Sequence, residues 1–441
     1  MISAGWIRIK VRRIKIALNL GVAKVAPLTH IVPAGPRRAV RDWIIRVTTP
    51  KEKQRLYRAP ASDGRIRAPM GINVYGMLRA ENGLAQGAKL YARAVMASGI
   101  PCSLVDMYYL DFLTQSDHRL DPYISRKGKY AINVIHINAN QIEAACHDYP
   151  HRLFDNHYNI GVWLWELEKI PDSWIQKMDY VDELWAPAGF VADAMKKGTD
   201  KPVITIPYGI ETPKEEAGRS DFGFEDSEFL VLAMYDANSY ASRKNPEGAI
   251  EAFVKAFGGT EENAALVLKV GNGSEDELAA LRKRLDASGI RYYLVTERFS
   301  KPRLNALIAC CDVFLSLHRS EGFGLVIAEA MNLGVPVVAT GWSANAEFMP
   351  EECTCRVSYR LIPVGDAYQF EEESQRWADP DAGEAAEYLK MLKRNPDRAA
   401  QMAREAKRYI EENYSISRCG EKMKQRYAEI QEELKAKGLI S

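Results

Sequence analysis

The sequence lacks the marks of a small secreted, membrane-spanning or metal-clustered protein. Its seven cysteines, Cys102, Cys146, Cys310, Cys311, Cys353, Cys355 and Cys419, form an odd, unevenly spaced set with no paired CxxC for zinc and no compact disulfide framework. Cys353 and Cys355 make a CxC, but no His or second Cys pair stands near it, so no metal site is expected there. A reducing, cytoplasmic compartment is the simplest setting. The opening stretch MISAGWIRIKVRRIKIALNL has no clean apolar segment and no small-residue cleavage site, and Lys24 interrupts the next apolar run. Neither a signal peptide nor a spanning helix is expected. Repeats and low-complexity segments are absent as well.

Net charge is nearly absent, at +1 over 441 residues, yet the charge is segregated. Residues 1–60 carry fourteen Lys/Arg against two acids, which leaves the remainder acidic by 11. Trp6, Ile7, Val11, Ile14 and Leu18 fall near one helical face with Arg8, Arg12 and Lys15 opposite, a pattern suited to a helix lying on an anionic membrane surface. Ile7, Ile9 and Val11 also alternate as in a strand. Residues 1–65 are therefore a basic extension that either docks on a membrane or partner or packs as a solvated arm. Nucleic acid is not the expected partner, because no nucleic-acid module accompanies the basic arm and the rest of the chain is acidic.

What is present from Met70 onward is α/β alternation. MGINVYGML reads as a buried strand, NGLAQGA as a glycine-bearing turn, GAKLYARAVMASG as a helix closed by Gly99, and PCSLVDM as the next strand. YAINVIHIN, NIGVWLWE, DELWAPA and PVITIPYG continue the strand series. The polar stretch PYGIETPKEEAGRSDFGFEDSE reads as a linker. The alternation then restarts with strands FLVLAMYDA, ALVLKVG, RYYLVT, DVFLSLH and PVVAT separated by helical segments, and from Asp381 the chain is dominantly helical. The expected fold is two Rossmann-like domains facing a cleft, 66–212 and 213–395, with C-terminal helices over 396–441. Ligands bind such folds outside the carboxyl ends of the strands.

SEGFGLVIAEAMNLGVPVVAT, residues 320–340, sits where that ligand should be. Gly322 and Gly324 allow a tight turn after a strand, and the following helix presents free N–H groups, the makings of an anion site. Glu321 and Glu329 flank it. Eight helical steps move a side chain about 12 Å and about 80° around the axis, but Glu321 precedes the helix and can fold back over the turn. Carboxylates on both sides of a phosphate pocket suit a ligand with hydroxyls at either end, the layout of a nucleotide sugar. Local roles, with Glu321 capping a helix and Glu329 facing solvent, remain an alternative.

This stretch resembles the E-x7-E signature of retaining glycosyltransferases of family 4, which have the GT-B fold, and the resemblance extends over roughly residues 70–430. It implies that Glu321 binds the donor sugar hydroxyls, Glu329 the ribose, and the amides of Gly322, Phe323 and Gly324 the sugar and phosphates. DANSYASRKNPEGAIEAF resembles the family's basic loop, which makes Arg243 and Lys244 candidates for neutralising the diphosphate leaving group. Ala237-Asn238 stands where many members have Gly-Arg. Val295 and Thr296 fall where the family holds the base, with Lys269 a further donor-site candidate. In the first domain, Gly83 matches the glycine loop near the phosphates, and Glu166, after Trp163 and Trp165, stands where relatives place a His or acid beside the reacting sugar. His136 reads as a satisfied core histidine. Asp379-Pro380-Asp381 is literally D-x-D, but Asp381 with Glu384 reads as a capping box.

The resulting expectation is a retaining, metal-independent hexosyltransferase without a cofactor. It would use a nucleotide sugar and a glycan or lipid-linked acceptor in polysaccharide or glycoconjugate synthesis, in the cytoplasm or peripherally on the inner membrane face. A nucleotide-sugar epimerase of the same fold and a non-catalytic nucleotide-sugar-binding subunit are the alternatives.

Overall fold

The computed structural model describes residues 65–107, 115–142, 145, 153–259, 263–365, 368 and 375–440. The basic extension through residue 64, with its membrane-facing pattern, and Cys146 lie outside the described residues. Among the described residues, no helix is long and apolar enough to cross a membrane.

The first domain is a parallel sheet of six strands, β1 (Ile72–Gly76), β2 (Cys102–Asp106), β3 (Ile132–His136), β4 (Tyr158–Val162), β5 (Glu183–Ala186) and β6 (Val203–Thr205), in the order β2-β1-β3-β4-β5-β6. Strands β1, β3 and β4 are buried along their whole length, as a parallel sheet covered on both faces requires. Each nevertheless carries an Asn at its second residue. Asn73 Nδ2 donates to Asn133 Oδ1 (2.8 Å), Asn133 Nδ2 donates to Asn159 Oδ1 (2.9 Å), and Ser103 Oγ donates to Asn73 Oδ1 (2.7 Å). This buried polar row lies in the pairing register of the four strands, and a slip of either neighbour would leave amides unpaired.

The second sheet contains β7 (Phe229–Asp236), β8 (Ala264–Gly271), β9 (Tyr292–Val295), β10 (Val313–Ser316), β11 (Val337–Thr340) and β12 (Cys355–Val357), all parallel, in the order β12-β11-β10-β7-β8-β9. An antiparallel pair, β13 (Tyr359–Pro363) and β14 (Arg376–Pro380), follows. The helices that position the site are α1 (Gly83–Ala97), α2 (Gly189–Lys196), α3 (Ala241–Lys244), α4 (Pro246–Phe257), α5 (Glu275–Ser288), α6 (Lys301–Ala309) and α7 (Leu325–Asn332). Strand order reverses between β1 and β3 in one sheet and between β7 and β10 in the other. Those two switch points are where doubly wound sheets open a crevice.

Two local expectations need correction. NGLAQGA is not a turn: α1 begins at Gly83, with Asn82 Oδ1 accepting the Ala85 N–H (2.8 Å). Gly87 is a close-approach residue, since a Cβ there would stand 2.5 Å from Tyr208 Oη and 2.9 Å from His136 Nε2. The stretch read as a linker sends Tyr208 fully into the core, where its hydroxyl meets His136 Nε2 at 2.9 Å. The Asp381 box is half formed: Asp381 caps Gly383 and Glu384, whereas the Glu384 carboxylate accepts the Ser358 N–H instead. Asp379 is engaged by Arg319 and Arg360.

The C-terminal helices α8 (Ala382–Arg394), α9 (Pro396–Asn413) and α10 (Ile416–Ala436) end on the first domain. Gly420 lets α10 approach α1, for a Cβ there would meet Ala94 O at 2.7 Å. Arg426 reaches the wholly buried Glu183 on β5 at 2.6 Å, and Tyr158 and Trp185 complete that carboxylate's hydrogen bonds. Removing the cation would strand a buried charge. Arg426→Met is therefore expected to lower unfolding stability in urea by about 3–5 kcal/mol, with Glu183→Gln added to it recovering part of the loss. An equal loss in the single and double variants would contradict this reading.

Candidate functional site

A cavity of about 420 Å³ opens between the two domains, at both switch points. Met77, Asn82, Gly83, Asn138 and Glu166 line it from the first domain, and Tyr235, Arg243, Lys244, Ser316 and residues Glu321–Ile327 from the second. Gly83 presents open space, since a Cβ there would meet nothing within 4 Å.

The cations are carried by α3, a four-residue turn held between two strained residues. Tyr240 before it has φ 59° and ψ 99°, and Asn245 after it has φ 51°. Side chains rarely accept such backbone, so the surrounding contacts must hold it. Asn245 supplies them: its Nδ2 donates to Leu317 O (2.8 Å), and its Oδ1 accepts the Gly248 N–H at the start of α4 (3.2 Å).

Four charges then converge. Lys244 Nζ contacts Glu321 Oε1; Arg243 stands 3.4 Å from Glu321 and 3.7 Å from Glu166, and donates to Ser320 O at 2.7 Å. Burial alone would push the Glu321 carboxyl up, but Lys244 and Arg243 outweigh it and hold its pKa down at about 2. Burial also opposes the charge on Arg243, yet Glu166 and Glu321 raise its pKa overall. For Lys244 burial wins and the pKa falls, with Glu321 only partly offsetting it. Tyr368 Oη donates to Glu166 Oε2 at 2.8 Å.

The turn after β10 forms the facing wall. Gly324 has φ 92°, and a Cβ on Gly322 would sit 3.1 Å from Trp165 O of the first domain. Helix α7 starts at Leu325, so its first N–H groups have no intrahelical acceptor, and Leu325 and Val326 line the same cavity as Arg243 and Lys244. Beneath the turn, Asn345 Nδ2 donates to Thr340 O (2.8 Å), which leaves Asn345 Oδ1 as the acceptor for His318 Nε2 (2.9 Å). His318 Nδ1 then accepts from Ser316 Oγ (3.0 Å), and burial lowers its pKa, so the imidazole is neutral.

Glu321, Arg243, Lys244, Glu166, Gly83, Gly322, Phe323 and Gly324 thus share one cavity. Glu329, Lys269, Val295 and Thr296 are not on its wall. Glu329 is 1% exposed, one turn further along α7, and faces Lys301 Nζ of α6 at 2.5 Å. Lys269 is buried with Nζ 5.5 Å from the Phe299 ring centre; burial lowers its pKa against the pull of Asp236 and Glu297. Val295 is half-buried and Thr296 exposed. Lys301, His318, Ser343 and Asn345 were not singled out from the sequence. Lys301 follows a helix-start serine, a signal for an N-cap but not for a contact with α7.

Residues 236–379 match the family described as Glycosyl transferases group 1. The N-acetyl-alpha-D-glucosaminyl L-malate synthase of Bacillus anthracis is 30% identical over 123 residues, 28% of this chain and 30% of that protein. The GtfA subunit of the UDP-N-acetylglucosamine–peptide N-acetylglucosaminyltransferase of Streptococcus gordonii is 30% identical over 107 residues, 24% of this chain and 20% of that protein. The matched stretches span less than a third of either relative. Among solved structures, Anabaena Alr3699/HepE in complex with UDP and glucose superposes with a TM-score of 0.57 at 13% identity, covering 81% of this chain and all of that one. Sucrose-phosphate synthase from Thermosynechococcus elongatus gives 0.59 at 13% identity, covering 85% and 98%. At such identity the likeness speaks for the fold, which is GT-B.

The depressed Glu321 pKa has a stability consequence. A carboxylate held at about 2 when folded, against an ordinary value of 4.5, stabilises the fold fully above pH 4.5 and loses that contribution as pH falls toward 2. The urea-unfolding difference between wild type and Glu321→Gln is expected to be constant from pH 5 to 7 and to shrink between pH 4.5 and 3. A difference that grows on acidification would contradict the ion-pair geometry.

Proposed function

We propose that this chain is a GT-B glycosyltransferase that moves a hexose-type sugar from a nucleotide diphosphate donor to an acceptor hydroxyl, with retention at the anomeric carbon. The observation that carries the proposal is the gathering of Arg243, Lys244, Glu321 and the N-terminus of α7 on one inter-domain cavity, within the segment that matches the group 1 glycosyltransferases. Two cations and a helix N-terminus supply positive charge for a diphosphate, and a carboxylate beside them supplies acceptors for sugar hydroxyls. UDP and glucose in the Anabaena complex, and N-acetylglucosaminyl groups in the names of both relatives, support a uridine nucleotide and a hexose or its acetamido derivative.

In the proposed reaction the bond between the anomeric carbon and the diphosphate oxygen breaks, and the acceptor oxygen bonds to that carbon on the same face. The acceptor proton passes to the departing phosphate oxygen. Arg243 and Lys244 stabilise charge growing on the diphosphate, and the ordered partners of α3 mean they need not reorganise as it grows. Glu321 orients the sugar, Glu166 the acceptor. Glu329, on the far side of α7 beside Lys301, is assigned to the ribose, with Val295 and Thr296 toward the base and Lys269 behind them. The acceptor is a glycan or a lipid-linked glycan, and the basic and apolar pattern of residues 1–60 suits an anionic membrane surface.

Thermal-shift scans with UDP, GDP and ADP and their hexose conjugates should pick out one nucleotide family for the wild type. Lys244→Met is expected to lower kcat with that donor about 10²–10³-fold, the scale for removing one preorganised charge-stabilising donor. Donor stabilisation without turnover under any acceptor would favour the non-catalytic binding subunit, and acceptor-independent isomerisation of the donor would favour the epimerase. Because the protein's own cations carry the leaving-group charge in this proposal, excess EDTA should leave turnover unchanged; loss of activity restored by Mg²⁺ would overturn that part.

A further inference from the structure

We infer that Ser343 is a positioning residue for Glu321, a role that rests on the donor-sugar reading given above. Ser343 has φ 71° and ψ −160°, a region of backbone conformation occupied essentially by glycine. Glycine would fit without strain, so the side chain kept there needs a reason. The residue is 7% exposed, and its hydroxyl is inserted between two partners. It accepts the Glu321 backbone N–H at 2.9 Å and lies 3.3 Å from Asn345 Oδ1.

Donor directions in this chain are determined. Asn345 Oδ1 is an acceptor because Nδ2 is spent on Thr340 O, so the Ser343 proton points to Asn345 and its lone pair to Glu321. His318 Nε2–H shares the same Asn345 oxygen, and its own Nδ1 is held by Ser316. The Ala344 N–H meets Glu321 O at 3.4 Å, so both backbone groups of Glu321 are tied to the Ser343–Ala344 step. Asn345 also packs directly under Gly324, whose Cβ position is 3.1 Å from the Asn345 Cβ.

The sequence therefore places a strained serine where its hydroxyl fixes the backbone of the residue that presents a carboxylate to the sugar. Ser343 touches neither cation and need not touch the ligand. Its effect should fall on the sugar half of the donor and spare the nucleotide half.

The test compares wild type, Ser343→Gly and Ser343→Ala in the full chain. Hydrogen exchange at the Glu321 amide is expected to be at least tenfold faster in both variants, which lack the acceptor. Ser343→Gly, relieved of strain, should melt above Ser343→Ala, which keeps it. With UDP and UDP-glucose as probes in calorimetry, the ratio of the UDP-glucose Kd to the UDP Kd should rise about tenfold in Ser343→Gly while the UDP Kd stays within twofold. Unchanged exchange at Glu321, or an unchanged ratio in a protein whose wild type binds both probes, would overturn the inference. If the wild type binds neither probe, the uridine-donor reading fails instead, and the exchange result alone decides whether Ser343 holds the turn.

Discussion

The structure depends on the mutual neutralisation of four largely buried charges at the domain cleft: Arg243 and Lys244 from the second domain, with Glu321 of the same domain and Glu166 of the first. Charges withdrawn from water are costly unless paired, and losing one partner costs more than the pair contributes. That condition explains why the backbone around them tolerates strain. Tyr240, Asn245 and Ser343 all take positive φ, and Gly324 takes 92°, within the segments that hold the cations and the carboxylate in register. Relaxing any of these turns would separate charges that stabilise one another.

The same cluster joins the domains. Glu166 lies in the loop after β4 of the first domain yet faces Arg243, and its backbone oxygen accepts from Ser320 Oγ. Further along the interface, Glu347 caps the N-terminus of α2, accepting the Gly189 and Phe190 N–H groups at 2.8 and 2.7 Å. Gln375 bridges to Lys169. Glu347 stands on the turn that begins at Ser343, so the segment that fixes Glu321 at one end meets the first domain at the other. Residues 343–347 therefore contribute both to the geometry at the cavity and to the contact between the domains.

Much of this was legible in the sequence, and the limits are physical. Long buried strands alternating with amphipathic helices carry their own signal, so both sheets are legible, and a glycine turn between a strand and a helix at 320–324 points to an anion site. Failures came where local composition and tertiary context disagree. Gly87 resembled a turn glycine but is required by Tyr208 and His136 packing, contacts 121 and 49 residues distant in sequence. The polar stretch from Pro207 runs between the two sheets, and the burial of Tyr208 at its start is what its composition does not report. The pairing of Glu329 with Lys301 crosses two helices, and no spacing rule reports it. Nothing in WSANAE signals a positive φ, because serine is an unremarkable loop residue until its partners are known. Roles for Glu321, Lys244 and the base-side residues came from family resemblance; the physical reading of the residues supplied the anion site and the flanking carboxylates.

In the reaction proposed above, a nucleotide diphosphate sugar enters this cavity and takes Lys244 from Glu321, freeing the carboxylate for the sugar. A crystal structure of the protein with UDP and its hexose conjugate tests this directly. The diphosphate is expected within hydrogen-bond reach of Lys244 Nζ and of the backbone amides of Gly322–Gly324, with the Lys244–Glu321 contact opened and Glu321 on the sugar hydroxyls. A diphosphate bound elsewhere with the Lys244–Glu321 pair intact would contradict it.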